Sequence, residues 1–245
     1  MLYGEVPSAT YADGAMVTLP APATWAAMPT IGVEAANLPA EVTSAEFGAA
    51  TLLGGSRLCD ELDDVVVPAG GTATFATPYV PGGDGYRVRV AVIAGTSGQD
   101  VIVHGDVPPA LVSVDGAGLL PWVSAPALES APTRVTWTET ASGGTATADL
   151  RLVVVSYEPV AGGNAAWVLV APPGGTTLEL PALPASAAAW SPEGAAISEG
   201  DVILIDAVDA DGYRALRPRL LGSLEQLSGG GDTRAIGDLV ASRVD

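Results

Sequence analysis

The sequence predicts an all-β protein built from two consecutive antiparallel β-sandwich domains. Residues 86–93 (Tyr-Arg-Val-Arg-Val-Ala-Val-Ile) and 149–157 (Asp-Leu-Arg-Leu-Val-Val-Val-Ser-Tyr) alternate, or nearly alternate, apolar and polar positions and are rich in β-branched side chains. That is the pattern of a strand with one face in a core and one toward water. Similar segments recur at roughly 8–12-residue spacing, as in sandwiches and barrels, and 30 Gly and 20 Pro in 245 residues supply the turns between them. The hydrophobic share is 48% but only 5% of residues are aromatic. A core dominated by Ala and Val is thin and flat, which suits stacked sheets better than a helical bundle.

The elements follow in order. Residues 1–14 form a turn-rich lead-in. The first sandwich spans 15–115, with strands expected at 15–20, 30–37, 42–49, 63–67, 72–79, 86–93, 100–104 and 111–114. Clusters such as Pro68-Ala69-Gly70-Gly71 and Pro81-Gly82-Gly83-Asp84-Gly85 separate them. Residues 116–132 read as a Pro/Gly-rich linker in which Trp122 packs into a groove between the two units. The second sandwich spans 133–222, with strands expected at 134–138, 149–157, 165–171, 176–180, 201–208 and 213–219. The stretch 181–200, rich in Ala, Pro and Ser and containing Trp190, reads as a short helical turn or an end cap. In the tail, 223–245, Gly229 to Gly231 form a flexible link, and Asp232 is placed to N-cap a short helix through Val244. Ile236, Leu239, Val240 and Val244 would share one face of that helix. A frayed terminus is the alternative.

The second unit carries Val135-Thr-Trp137, Leu150-Arg-Leu-Val-Val-Val-Ser-Tyr157, Thr176-Thr-Leu-Glu-Leu-Pro-Ala-Leu183-Pro184 and Asp201-Val-Ile-Leu-Ile-Asp-Ala207. It resembles a fibronectin type III-like or immunoglobulin-like sandwich over about 90 residues. In that family a Trp on an early strand anchors the core, and a Leu-x-x-Leu-Pro-type corner precedes a late Val-rich strand. Two departures stand out: the residues between Pro184 and Asp201 are an expansion, and the corner Tyr is missing. The first unit, through Val67-Pro-Ala-Gly-Gly-Thr-Ala-Thr-Phe75 and Val80-Pro-Gly-Gly-Asp-Gly-Tyr-Arg-Val-Arg-Val90, is similar in style to accessory sandwiches of secreted and lipid-anchored proteins from high-GC bacteria. The resemblance implies an extracellular or surface adaptor module and no chemistry.

Charge narrows the partners. The chain has 28 acidic and 10 basic residues, a net charge of −18, and every basic residue is Arg. Such a surface repels phosphate backbones and anionic lipid, so no nucleic-acid partner is expected. No apolar run is long enough for a membrane-spanning helix, so no membrane insertion is expected. The opening Met-Leu-Tyr-Gly-Glu-Val-Pro lacks the basic start and apolar stretch of an export signal. The acidic, Lys-free, β-rich character nonetheless points to the mature region of an exported or surface protein.

Chemistry is sparse. The single cysteine, Cys59, rules out an intrachain disulfide. Asp60 and Glu61 disfavour a thiolate there, so Cys59 reads as a small buried hydrophobe, with an intermolecular link or a free reactive thiol as the alternative. His104 is the only histidine. No Gly-x-Ser-x-Gly accompanies it and no second imidazole exists for a His-based zinc site, so it reads as structural. Asp60, Glu61, Asp63 and Asp64 form the densest acidic run. They read as a solvated loop approaching a strand, with a glycosidase acid/base pair as the alternative.

Two binding sets remain. Asp206, Asp209 and Asp211, followed by Gly212, place oxygen ligands before a glycine and could bind calcium, although Asp-Gly is also an ordinary hairpin turn. Trp25, Trp122, Trp167 and Trp190 could form a sugar-stacking platform, or serve as core residues. The expectation is a non-catalytic extracellular or cell-surface protein, without a resident cofactor, acting in adhesion, scaffolding or assembly through a protein partner or self-association. The alternatives are a carbohydrate- or calcium-binding module and a subunit of a surface filament or virion.

Overall fold

The computed structural model describes residues 2–3, 26–53, 56–58, 63–68, 70–130, 133–193, 195–221 and 237–244. Its strands are β1 (Leu2–Tyr3), β2 (Ala26–Ala27), β3 (Thr30–Ala36), β4 (Ser44–Leu53), β5 (Ser56–Leu58), β6 (Asp63–Val66), β7 (Ala73–Pro78), β8 (Gly85–Ala94), β9 (Ser97–Gly105) and β10 (Leu111–Asp115). They continue as β11 (Trp122–Val123), β12 (Ala127–Ser130), β13 (Thr133–Thr136), β14 (Glu139–Thr140), β15 (Leu150–Glu158), β16 (Ala165–Ala171), β17 (Thr177–Glu179), β18 (Ala196–Ala207) and β19 (Leu239–Val244). One α-helix, α1 (Tyr213–Leu221), and 3-10 turns at Gly116–Gly118 and Ala185–Trp190 complete the described elements. The protein is mostly β, as its alternation implies.

A nine-stranded antiparallel sheet runs in the order β16-β15-β18-β19-β9-β8-β4-β5, with β6 also paired to β4. Smaller sheets cover it. On one face, which we call inner, β10-β3-β7 packs over the β4-β8-β9 end. Ile31, Val33 and Ala35 of β3 meet Phe47 of β4 and Val88, Val90 and Val92 of β8 there. The period-2 pattern of each strand places these side chains on one side. The stacked Phe47 and Phe75 rings, 6.0 Å between centroids, lie between the two layers. At the β15-β18 end the inner face is covered by β12-β13-β17 and by the β11-β14 pair, with Trp137, Val153, Val155 and Tyr157 in the core. On the outer face α1 lays Leu216 and Leu220 against Leu150, Leu152, Ile205 and Leu239.

The stretch 116–132 carries a 3-10 turn and two strands and is pinned to the long sheet. The Gln99 side chain, 1% exposed, donates to Leu120 O at 2.6 Å and accepts from Leu120 N at 2.8 Å. Ser97 donates to Val123 O at 3.0 Å, and Ser242 donates to Pro121 O at 2.7 Å. Gln99 and Ser242 are cross-strand partners on β9 and β19. Polar side chains buried here satisfy loop groups that strands alone would leave unpaired.

Two expectations are corrected. Residues 213–219 form the helix α1 and not a strand. Tyr213, Leu216 and Leu220 recur at helical spacing and bury one stripe, while Arg214, Arg217 and Arg219 stay exposed. Gly212, at φ 77°, turns the chain into the helix, a conformation other residues adopt at a cost. The tail helix is also replaced: Leu239–Val244 is a strand, and the residues before Gly237 that would begin the helix, Ile236 and Asp232 among them, lie outside the described residues. Leu239 and Val240, read as neighbours on one helix face, point to opposite faces of β19 and are both used in cores. The strand expected at 15–20 also lies outside the described residues.

Because Leu239 is 2% exposed between two partner strands, Leu239→Ala is expected to lower unfolding free energy by about 2–4 kcal/mol. Leu111→Ala, at a position 55% exposed, should change it by no more than about 0.5 kcal/mol. Urea titration of both variants checks the contrast.

Candidate functional site

The most developed polar arrangement was not singled out from the sequence. Arg151 points inward from β15, where its neighbours Val153 and Val155 enter the core, and its side chain is 7% exposed. It meets Glu139 of β14, whose Oε1 accepts from Arg151 Nε at 3.0 Å, from Arg151 Nη2 at 2.7 Å and from the Trp137 indole N–H at 3.0 Å. The guanidinium also lies 5.9 Å from the Trp137 ring centre, within cation–π range. This knot borders a cleft of about 380 Å³ whose wall includes Pro121, Thr147, Pro173 and Leu204. An arginine interrupting the apolar run from Leu150 was the available signal, since an inward charge requires a partner.

A second cleft, about 580 Å³, lies between the β3–β10 end and residues 141–143. Its acidic groups are Glu41 and Asp115. Glu41 accepts from the Trp122 indole N–H at 3.1 Å. Asp115 accepts from Ala117 N at 2.9 Å and from Asn37 Nδ2 at 3.3 Å. Those bonds, that from Ala117 first, hold the Asp115 carboxyl below its usual range, so it is a carboxylate at neutral pH and no proton donor. Asn37 is held at φ 53°, a conformation Asn tolerates better than most residues.

Among the described residues, the expected stacking tryptophans do not form one platform. Trp25 lies outside the described residues. Trp122 is 7% exposed and belongs to the core of the β4-β8-β9 end. Trp167 is half-buried, and its indole N–H donates to Tyr157 Oη at 2.8 Å; the Tyr157 hydroxyl in turn donates to the Trp190 carbonyl at 2.7 Å. Among the described members of the set, Trp167 and Trp190 are thus linked through Tyr157. Trp190 is 50% exposed, and the residue after it, Ser191, lines a small cleft with Glu179 and Glu193.

The three aspartates of the calcium set also diverge. Asp206 is on β18, while Asp209 and Asp211 are in the exposed turn after it. Among the described residues no three or more His, Cys, Asp or Glu side chains are grouped to hold a metal ion. Asp206 instead faces Asp149. Burial, then the Asp149 charge and a hydrogen bond with it, push the Asp206 carboxyl above its usual range. In the acidic run, Cys59, Asp60 and Glu61 lie outside the described residues. Asp63 and Asp64 are adjacent on β6 and so point to opposite faces, an arrangement that cannot make a converging acid/base pair. His104, on β9, donates its backbone N–H to Asp238 Oδ1 at 2.7 Å, with its Nδ1 3.5 Å from the same oxygen.

Fold and site together define an all-β protein of stacked sheets whose inward polar groups bind one another. Comparison with protein-family models, with curated proteins and with solved structures finds no match for this chain.

Removing one member of the buried pair leaves the other charge uncompensated. Glu139→Gln is expected to cost about 3 kcal/mol, and the double variant Glu139→Leu/Arg151→Met to recover most of it. Chemical denaturation of the single and double variants reads this directly. For Asp206 the sign is opposite to that of a salt-bridged carboxylate. Its raised pKa means that the folded chain holds the proton more tightly than the unfolded chain. Ionisation therefore costs stability as pH rises through the folded pKa. Asp206→Asn should raise the melting temperature at pH 7, with the gain vanishing as pH falls below the ordinary aspartate range. Melting both proteins across pH tests it.

Proposed function

We propose that the chain is a non-catalytic structural and interaction protein of the cell exterior, with two immunoglobulin- or fibronectin type III-like sandwiches sharing one long sheet. One observation carries the reading: the acidic groups that face the clefts beside Arg151 and beside Asp115 are engaged in holding strands and loops together. Glu139 is taken by Arg151 and Trp137, Glu41 by Trp122, and Asp115 by Asn37 and the Ala117 N–H. A general acid or base must be free to reach a substrate proton. A strongly acidic surface on a rigid β scaffold suits adhesion, scaffolding or assembly.

A second reading, a carbohydrate-binding module, draws on Trp190, 50% exposed and next in sequence to Ser191, which lines a small cleft with Glu179 and Glu193. An exposed indole can stack on a sugar face, and cleft carboxylates can accept hydrogen bonds from its hydroxyls.

Titration calorimetry with soluble glycans and with calcium, run beside ester, phosphoester and glycoside turnover assays, separates these readings. Flat heats and no turnover are expected. Glycan heat lost in Trp190→Ala would establish the second reading instead. Turnover abolished by Glu41→Gln in a folded protein would sink the first.

A further inference from the structure

The Arg151–Glu139 pair uses its hydrogen bonds one-sidedly, and we propose that the cleft it borders binds an uncharged, extended peptide segment of a partner protein. This rests on the reading of the chain as an interaction protein and gives that reading a surface and a kind of partner.

Glu139 is held through one oxygen. Three donors converge on its Oε1: Arg151 Nε at 3.0 Å, Arg151 Nη2 at 2.7 Å and the Trp137 indole N–H at 3.0 Å. Among the described residues nothing donates to Oε2, and the Glu139 side chain is 20% exposed on the cleft. An arginine and a carboxylate that serve only each other frequently take the two-pronged form, with one N–H to each oxygen. Here the second oxygen is left for another donor.

Arg151 is short of acceptors in the complementary way. Of the five N–H groups of a guanidinium, three find acceptors among the described residues: two on Glu139 and one, at 3.4 Å, on Pro172 O. The side chain that carries the others is only 7% exposed and also lines the cleft. A covered donor without an acceptor is costly, so a carbonyl entering the cleft is favoured. Donor and acceptor together are what a peptide backbone supplies, since an extended chain presents N–H and C=O groups in turn along each edge.

One wall of the cleft suits such a chain. From Thr145 to Ala148 exposure alternates as in a strand, with Thr145 and Thr147 exposed and Ala146 and Ala148 packed toward the core. This segment nonetheless joins no ladder. Among the described residues no hydrogen bond reaches the backbone of Ala146, Thr147 or Ala148. Strand-like backbone left open in this way can take an added strand, whose main-chain bonds supply affinity while pockets for its side chains supply specificity.

The remaining walls select the occupant. Pro121, Pro173 and Leu204 are apolar, and the only charged groups of the lining are Arg151 and Glu139, which cancel. An ionised ligand would shed its water for a pocket with no net charge to offset it. A sugar would find no open ring to stack on, because Trp137 is 6% exposed and has the guanidinium against its ring. At about 380 Å³ the cleft lies within the usual range of binding clefts, and it accommodates a few small residues. Accepting a hydrogen bond at Oε2 requires no proton transfer, so the site binds without catalysing.

Proton–nitrogen NMR titration of the whole chain with the blocked peptide acetyl-Ala-Val-Ala-amide tests the proposal. The Trp137 indole N–H, bound to the same carboxylate, is the reporter, identified as the resonance absent from Trp137→Phe. It is expected to shift and saturate with a Kd of about 1 mM, as suits a short probe. Acetate, butylammonium and maltose at the same concentration should leave it in place. Two variants should each weaken the peptide at least ~10-fold, read from the saturation-transfer signal of the peptide itself, with thermal melts showing that they remain folded. Glu139→Leu/Arg151→Met removes the donor and acceptor, and Thr147→Tyr fills the mouth of the cleft with the pair intact. Absence of a saturating shift up to ~10 mM peptide overturns the proposal. So does undiminished binding in folded Thr147→Tyr, or a shift as large with acetate, butylammonium or maltose. None of these results bears on whether the chain is an enzyme, which the turnover assays decide separately.

Discussion

The ladder that β19 makes with β18 on one side and β9 on the other is the constraint on which the rest of the structure depends. Leu204 to Ala207 of β18 pair with β19, and β19 pairs along its length with residues 97–102 of β9. Without this strand, the sheet of the first half and that of the second would each end in an open edge. Its entry is clamped: His104 N–H binds Asp238, 134 residues away, and Val208 N–H donates to the Asp238 carbonyl at 2.9 Å. Gly237, at φ 92° and with Asp209 Oδ2 only 3.1 Å from where a Cβ would stand, suits glycine on both counts. Contacts so distant in sequence form only after a large loop has closed, which makes them slow to form.

Inward polarity follows from that sheet. Three small sheets cover its inner face, and between the two ends Gln99 and Ser242 bind the backbone of Leu120 and Pro121. Farther along, Arg151 and Glu139 bring opposite charges under cover with a tryptophan against both. A buried pair of this kind adds little net stability over a well-packed apolar pair, but it penalises any arrangement that separates its members. These groups fix which loop lies against which strand.

On the outer face, Asp100 is gripped by Arg89, with Nε at 2.7 Å, and approached by Arg243 at 3.6 Å, binding β8, β9 and β19 across the junction. With so few cations in the chain, their placement matters. Some lie within the fold and three stand on the solvent side of α1. Burial and the nearby Asp238 charge also raise the Tyr86 hydroxyl pKa, keeping that ring a neutral part of the junction.

Strand alternation alone was enough to read the all-β class, and it placed β3, β8, β15 and β16 to within a few residues, because a half-buried strand imposes a period of two on its own sequence. The 3-10 turn at Ala185–Trp190 was legible too, as an Ala-rich stretch between prolines. The helix α1 was misread because Tyr-Arg-Ala-Leu-Arg-Pro-Arg nearly alternates while also repeating at three and four. The tail was misread in the reverse sense, since Leu239 and Val240 fit either period, and only the presence of β9 and β18 on both sides selects the strand. The Glu139–Arg151 knot and the Asp149–Asp206 pair were hidden for a common reason. Each joins residues from separate strands, and a local pattern carries no information about which strands will lie side by side. Periodicity is a property of the chain; strand order and sheet covering arise only when distant segments satisfy one another's backbone groups.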